Sequence, residues 1–310
     1  MFLFATVTDP IGGTRAGSYG PVRVEGGPVR VPGFGVGGFG SGEAWVGSVG
    51  NAADERGGVL TEAMRAVPVP DRVRVSVAVL DRDSGAHAAY GEGEFVTASV
   101  VKVDILAALL LRARDAGRPP TARERAYAAA MIERSDNDSA SALWEAIGRA
   151  EGLDAANARF GLRATRGGEG PLWGLTRTTA ADRLRLLRQV YGEGGPCGAP
   201  LLDADSRAYV RELMGNVVAD QRWGVSAAAG LGRGSAPACA LKNGWLPRSA
   251  TGLWVVHSVG RITTAEGHRC LMAVLSDGHA TLAEGIAVVE AAARAAAGLL
   301  AGGGEGTGAG

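Results

Sequence analysis

The sequence predicts an α+β fold of the α/β class: a five-stranded antiparallel sheet flanked by helices, with an all-helical lobe attached. Three patterns point there. Val-rich alternation near the start of the folded part reads as a strand, "RVRVSVAVLD", and "RDSG" turns the chain into a return strand, "AHAAYGEG". A long stretch from Ser99 to about Val218 then has helical period almost throughout. Strand patterns resume in "PACALKNGW", "GLWVVHSVGRI" and "RCLMAVLSD", before a closing apolar helix, "LAEGIAVVEAAARAAAGLLA". Two strands at one end and three at the other imply one sheet assembled from both ends of the chain.

The elements follow in order. The first fifty residues are dominated by Gly, Pro and Val without period, so residues 1–53 are expected to form a flexible arm. The folded domain is expected over 54–302, opening on a short helix, "VLTEAMRAV". Its α/β lobe takes 54–98 and 236–302, its helical lobe takes 99–235, and 303–310 is a Gly-rich tail. Within the helical lobe the clearest segments are "TARERAYAAAMIERS", "SASALWEAIGRA", "TAADRLRLLRQVY" and "DSRAYVRELMGNVV". Thr179 followed by Asp182 has the spacing of a capping box. A groove between two lobes is a natural place for a site.

Composition excludes several partners. The 310 residues are 46% hydrophobic and 21% charged, without an apolar run long enough to span a membrane. Basic and acidic residues balance at 32 each, so nothing electrostatic favours nucleic acid or a membrane surface. Cys197, Cys239 and Cys270 match no metal spacing, and they read as small apolar fillers; neither metal nor cofactor is implied. The opening "MFLFATVTDP" has too short an apolar run for a secretion signal and no basic residue before it, so the chain reads as cytoplasmic by sequence; a monomer is expected.

The chemistry sits where one helix carries unexpected residues. In "FVTASVVKVDILAALLLRAR" an apolar helix begins with Ser99 and places Lys102 three residues on, on the same face. A lysine packed among Val and Ile loses solvation, which lowers its pKa and makes a neutral amine accessible. A neutral amine beside a hydroxyl is a general base beside a nucleophile. The plainer reading is a serine cap and a solvent-facing lysine. Two further motifs favour the chemical one: "ERSDNDSA" holds Ser135, Asp136 and Asn137 between helices, and "ALKNGWLP" holds Lys242, Asn243 and Gly244 on a strand. Each alone could be a polar turn or a plain strand end.

Together, S-x-x-K, S-D-N and K-x-G in this order resemble the β-lactamase-like and penicillin-binding serine hydrolases. "WGLTRTTAADRLRLL", "QRWGV" and "LKNGWLP" are similar to an actinobacterial branch of that family. The resemblance runs from about Asp54 to Ala301 and implies the β-lactamase/transpeptidase-like fold. It implies that Ser99 is acylated, that Lys102 takes its proton, and that Ser135 relays a proton to the leaving nitrogen with Lys242 polarising the relay. It gives Asn137 the task of holding Lys102 and the substrate acylamide, and makes the backbone N–H groups of Ser99 and Trp245 the oxyanion hole. Gly244 lets the ligand approach the strand backbone. Members of the family are often exported, and their partners are small β-lactams or peptidoglycan-like substrates.

The sequence departs from the family pattern at three points. Asn243 stands where a hydroxyl residue is usual, and an amide there is expected to reach the substrate carboxylate differently. Only 36 residues separate Ser99 from Ser135, so one wall of the groove is shortened. No E-x-x-L-N motif precedes "WGLTRTT", and "GLRATRGGEGPLWGL" offers only Glu169, in a Gly-rich loop that reads as exposed and loosely held. These departures imply slow deacylation of an acyl-enzyme formed on a β-lactam, a D-Ala-D-Ala-like amide or an activated ester. The alternative is a protein that keeps the fold only to bind a β-lactam or cell-wall ligand. Trp173, Trp223 and Trp245 are candidates for an aromatic platform, beside a plainer role in packing for Trp173 and Trp223. Arg222 reads as a surface charge that could assist carboxylate binding, and His257 as a satisfied sheet histidine.

Overall fold

A computed structural model describes residues 49–192, 200–230 and 238–301. Cys197, the tail 303–310 and residues 1–48 of the expected arm lie outside these. The chain runs α1 (Val49–Arg65), β1 (Arg74–Asp81), β2 (His87–Tyr90), β3 (Phe95–Val96), α2 (Lys102–Asp115), α3 (Ala122–Glu133), α4 (Asn137–Ile147) and α5 (Arg149–Phe160). It continues through β4 (Arg177–Thr178), α6 (Ala180–Tyr191), α7 (Ala204–Gly215), β5 (Cys239–Pro247), β6 (Trp254–Thr263), β7 (Arg269–His279) and α8 (Leu282–Ala301). The first helix starts at Val49, so the last five residues assigned to the arm are helical.

The five strands form one antiparallel sheet in the order β2-β1-β7-β6-β5, as the two-plus-three arrangement requires. Strand period then sorts the core into two layers. On β7, Cys270, Met272 and Val274 face a cluster with Leu60 and Met64 of α1 and Val288, Val289 and Ala292 of α8. The alternate residues Leu271, Ala273 and Leu275 face Leu106, Leu109 and the helices of the opposite layer. Because both faces are covered, β7 has near-continuous apolar burial and its helical neighbours are fixed on either side.

Capping chemistry sets the helix boundaries. Thr121 and Glu124 make a complete capping box at α3. At α6 only half of the expected box forms: Thr179 accepts from the Asp182 N–H, whereas the Asp182 carboxylate turns to Ala164 N and Thr165 Oγ1, 2.8 and 2.9 Å away. The segment "SASALWEAIGRA" is not one helix. Gly148, at φ +93°, ends α4 and opens α5 in the left-handed region, which glycine enters without strain. The two-residue strands β3 and β4 pair as a separate ribbon that ties the approach to Ser99 to the segment before α6.

Candidate active site

Ser99 lies in a single 3-10 turn, Ala98–Val101, and α2 proper begins at Lys102, one turn later than the sequence pattern indicates. Ala98 takes φ +46°, an uncommon conformation for a residue with a Cβ, and it turns the chain sharply out of β3. The turn leaves Ser99 partly exposed while its neighbours Ala98, Val100 and Lys102 are buried. His257 of β6 fixes the approach: its Nε2–H donates to Val96 O at 2.8 Å, and its Nδ1 accepts from Ser276 N at 3.0 Å. Both ring nitrogens are used and burial pushes the imidazole pKa down to about 4, so His257 is a neutral brace.

Ser135 sits between two lysines. Its Oγ is 3.0 Å from Lys102 Nζ and 3.0 Å from Lys242 Nζ. It reaches this place in the left-handed region, at φ +57°, between α3 and α4. Asp136 caps α4 by accepting from Ser139 N at 2.7 Å, which holds the turn. Asn137, the first residue of α4, accepts from Lys102 Nζ at 2.8 Å through Oδ1. Lys102 also contacts Ser135 O at 2.7 Å, so its hydrogen bonds run to Ser135 and Asn137 and not to Ser99. Lys242 completes its own set on Asn243 O at 3.0 Å.

The electrostatics follow from that packing. Lys102 is fully buried and its pKa is lowered to about 6, by desolvation first and by the neighbouring Lys242 charge second, with Asp136 opposing. Desolvation lowers Lys242 to about 7. Two ammonium groups on one hydroxyl oxygen repel each other, so the pair favours one neutral amine. A neutral Lys102 has two N–H bonds, enough for Ser135 O and Asn137 Oδ1, and keeps one lone pair for a hydroxyl proton, while a charged Lys242 donates to Ser135 Oγ.

Gly244 brings the edge strand β5 against the Ser99 turn. A Cβ there would lie 2.8 Å from Val100 N and 2.9 Å from Ser99 N, so only glycine permits this approach. Trp245 follows it on β5 and pairs with Val256. By strand alternation Trp245 and Asn243 share the opposite face. Trp245 packs edge-on to Trp223 at 5.8 Å between ring centroids.

The remaining candidates are held by their own contacts. The buried Asn243 amide spends both N–H bonds on Gln221 O and Trp223 O, each at 2.9 Å, and so braces β5 with no donor left for a carboxylate. Arg222 Nη2 donates to Gly215 O at the end of α7, 2.6 Å away. Glu169 is exposed, as its loop setting suggested, but the loop is firmly held: Gly168 N donates to Thr176 Oγ1 at 3.1 Å and Trp144 Nε1 to Gly170 O at 2.8 Å. Trp173 lies with its ring centroid 4.9 Å from Lys102 Nζ and its Nε1 on Ser141 Oγ at 3.1 Å. Its indole covers the lysine and does not join the Trp223–Trp245 pair.

A buried polar network beneath the site was missed by sequence reasoning. Arg183 of α6 pairs with Asp104 of α2, and donates from Nε to Thr178 Oγ1 at 2.8 Å and from Nη2 to Thr165 Oγ1 at 3.2 Å. Asp104 is fully buried and desolvation raises its pKa. The available signal was an acid two residues after Lys102 in an otherwise apolar helix.

The profile of the Beta-lactamase enzyme family matches residues 119–300, more than half of the chain. The chain belongs to the beta-lactamase enzyme family. It is also similar to the "Putative lipoprotein LppW" of Mycobacterium tuberculosis and of Mycobacterium bovis, 33% identical over 124 residues. That match spans 39% of this chain and 39% of the length of those proteins. Among solved structures it resembles a class A β-lactamase from Bacteroides cellulosilyticus (TM-score 0.64, 16% identity, 79% of this chain and 98% of that one). It resembles PBP-A at TM-score 0.64 and 20% identity, over 79% of this chain and 96% of that one. A β-lactamase from Streptosporangium roseum gives TM-score 0.61 and 19% identity, over 80% and 99%. At these identities the likeness is one of fold, the β-lactamase-like serine hydrolase fold that the motifs imply.

Proposed function

We propose that this β-lactamase-family protein is a serine hydrolase that forms an acyl-enzyme at Ser99 and releases it slowly. The observation that carries this reading is the placement of Ser135 Oγ between Lys102 and Lys242, 3.0 Å from each amine, with Lys102 three residues after Ser99. The arrangement supplies a base and a proton path. Neutral Lys102 takes the Ser99 proton as Oγ attacks the carbonyl carbon of a β-lactam, a D-Ala-D-Ala-like amide or an activated ester. The proton passes through Ser135 to the leaving nitrogen or oxygen, and Lys242, charged, holds Ser135 and attracts a substrate carboxylate. The Ser99 and Trp245 backbone N–H groups, brought close by Gly244, receive the oxyanion. Asn137 keeps Lys102 aimed and has its amide N–H for the substrate acyl group.

Slow release follows from what surrounds Lys102. The charges acting on it are Lys242 and Asp136, and Asp136 is spent on capping α4. Trp173 covers it and Glu169 is exposed on its loop, so on this reading no carboxylate among the described residues is assigned to activate water. Intact-mass spectrometry with penicillin and acyl esters tests this reading. It requires a covalent adduct that maps to Ser99, whereas reversible binding without an adduct would make the protein a non-turnover binder.

A further inference from the structure

Away from Ser99, a cavity of about 300 Å³ opens among the ends of β1, β3, β4 and β7 and the turn between β5 and β6. Val96 is part of its wall, and Ser99 does not line it. Three guanidinium groups, Arg74, Arg177 and Arg248, face two carboxylates, Glu94 and Asp277, which leaves one net positive charge.

The pairing shows where that charge resides. Arg74 holds Asp277 through Nε at 3.0 Å and Nη2 at 2.5 Å, and its guanidinium also stacks on Phe95 at 4.7 Å. Arg177 Nε takes Glu94 Oε2 at 2.9 Å. Among the described residues Arg248 has no carboxylate partner. Its Nη1 is screened from solvent and has no hydrogen-bond partner among the described residues. The turn that carries it is fixed, because Arg248 N donates to Leu253 O at 2.8 Å and Arg248 O accepts Gly252 N at 2.7 Å. A screened guanidinium N–H without an acceptor is costly, and an anionic acceptor relieves that cost. The remaining wall is apolar, from Val96, Leu253 and Val255.

We propose that this cavity binds a short aliphatic monocarboxylate, separate from the acyl donor at Ser99, with Arg248 as its ion-pair partner. One net charge and a planar guanidinium fork suit a single carboxylate. The apolar wall takes a chain of a few carbons, and the Thr251 hydroxyl at the rim supplies a second donor.

Titration of the full chain with butyrate, followed by calorimetry and by the arginine Nε–H signals, tests the site without requiring Ser99 to react. Butyrate should bind saturably at one site, and butyramide, its uncharged isostere, at least tenfold more weakly. Arg248→Gln should weaken butyrate at least tenfold while the thermal melt is kept. Should that variant fold poorly, Thr251→Val decides, with an expected severalfold loss. Binding without saturation, butyramide binding as tightly as butyrate, or parental affinity in whichever variant folds would overturn the proposal.

Discussion

Lys102 is where the local physics is most exposed to test. Burial sets its pKa at about 6, so the neutral base is present above that pH and lost below it. Acylation by a penicillin should therefore rise through about pH 6 and level off, and Lys102→Ala should lose that limb along with on the order of a hundredfold in rate. Lys102→Arg should not recover it, since a guanidinium stays protonated. A stopped-flow pH profile in which Lys102→Arg acylates like the parent would rule out the neutral amine. Trp173 should move the same limb. Its indole contributes to excluding water from Lys102, so Trp173→Ala returns solvent to the amine and raises its pKa. The loss of the cation–π contact acts the other way but is the smaller effect, about 0.5–2 kcal/mol. The ascending limb should shift to higher pH, and an unchanged limb would show that the indole does not govern the base. The S-x-x-K, S-D-N and K-x-G motifs made Ser99, Lys102, Ser135 and Lys242 legible in the sequence, because each motif is local. Trp173 over Lys102 was not legible as a contact, because 70 residues, a Gly-rich loop among them, lie between the two.

At the scale of elements, α2 and α6 are tied by the buried Asp104–Arg183 pair with Thr165 and Thr178 around it. Removing one partner strands the other charge, which typically costs about 3–5 kcal/mol. Arg183→Met should therefore lower the urea midpoint sharply. Arg183→Met with Asp104→Leu should cost less than the two single changes summed, since neither charge is then left alone; strict additivity would mean that the pair does not act as a unit. The close approach of β5 to the Ser99 turn makes a second test. Gly244→Ala puts a methyl 2.8–2.9 Å from backbone nitrogens that have no room to yield. Acylation should fall by at least tenfold as the strand is pushed off the turn, and a parental labelling rate would show that this contact is dispensable. Most elements were readable because a Val-rich or continuous apolar run, or an apolar helical stretch, extends over eight or more residues, as in β1, β7 and α8. The two-residue strands β3 and β4 carry no period, and the Asp104–Arg183 contact spans 79 residues, so neither could be read from local pattern.

For the whole molecule, two buried lysines link stability to pH. Both have folded pKa values below that of an exposed lysine, so between about 6 and 10.5 the unfolded chain binds more protons than the folded one. Stability should rise with pH across that window, by up to about 1.4 kcal/mol per unit for each lysine, and the penalty is fully present below it. Urea titrations at pH 6.5 and 9 should show the rise, reduced in Lys102→Met; equal slopes in parent and variant would place that proton uptake elsewhere. The central claim concerns turnover. On the proposed reading a buried base, a relay serine and an oxyanion site favour acylation, while an exposed Glu169 and a tryptophan over Lys102 are expected to leave the ester without an activated water. Intact-mass spectrometry during penicillin turnover tests this most directly. The expected result is a stoichiometric adduct on Ser99 that persists through a slow steady state, with Glu169→Gln changing the release rate little. Rapid hydrolysis with no accumulated adduct in the parent, and a trapped adduct only in Glu169→Gln, would contradict it.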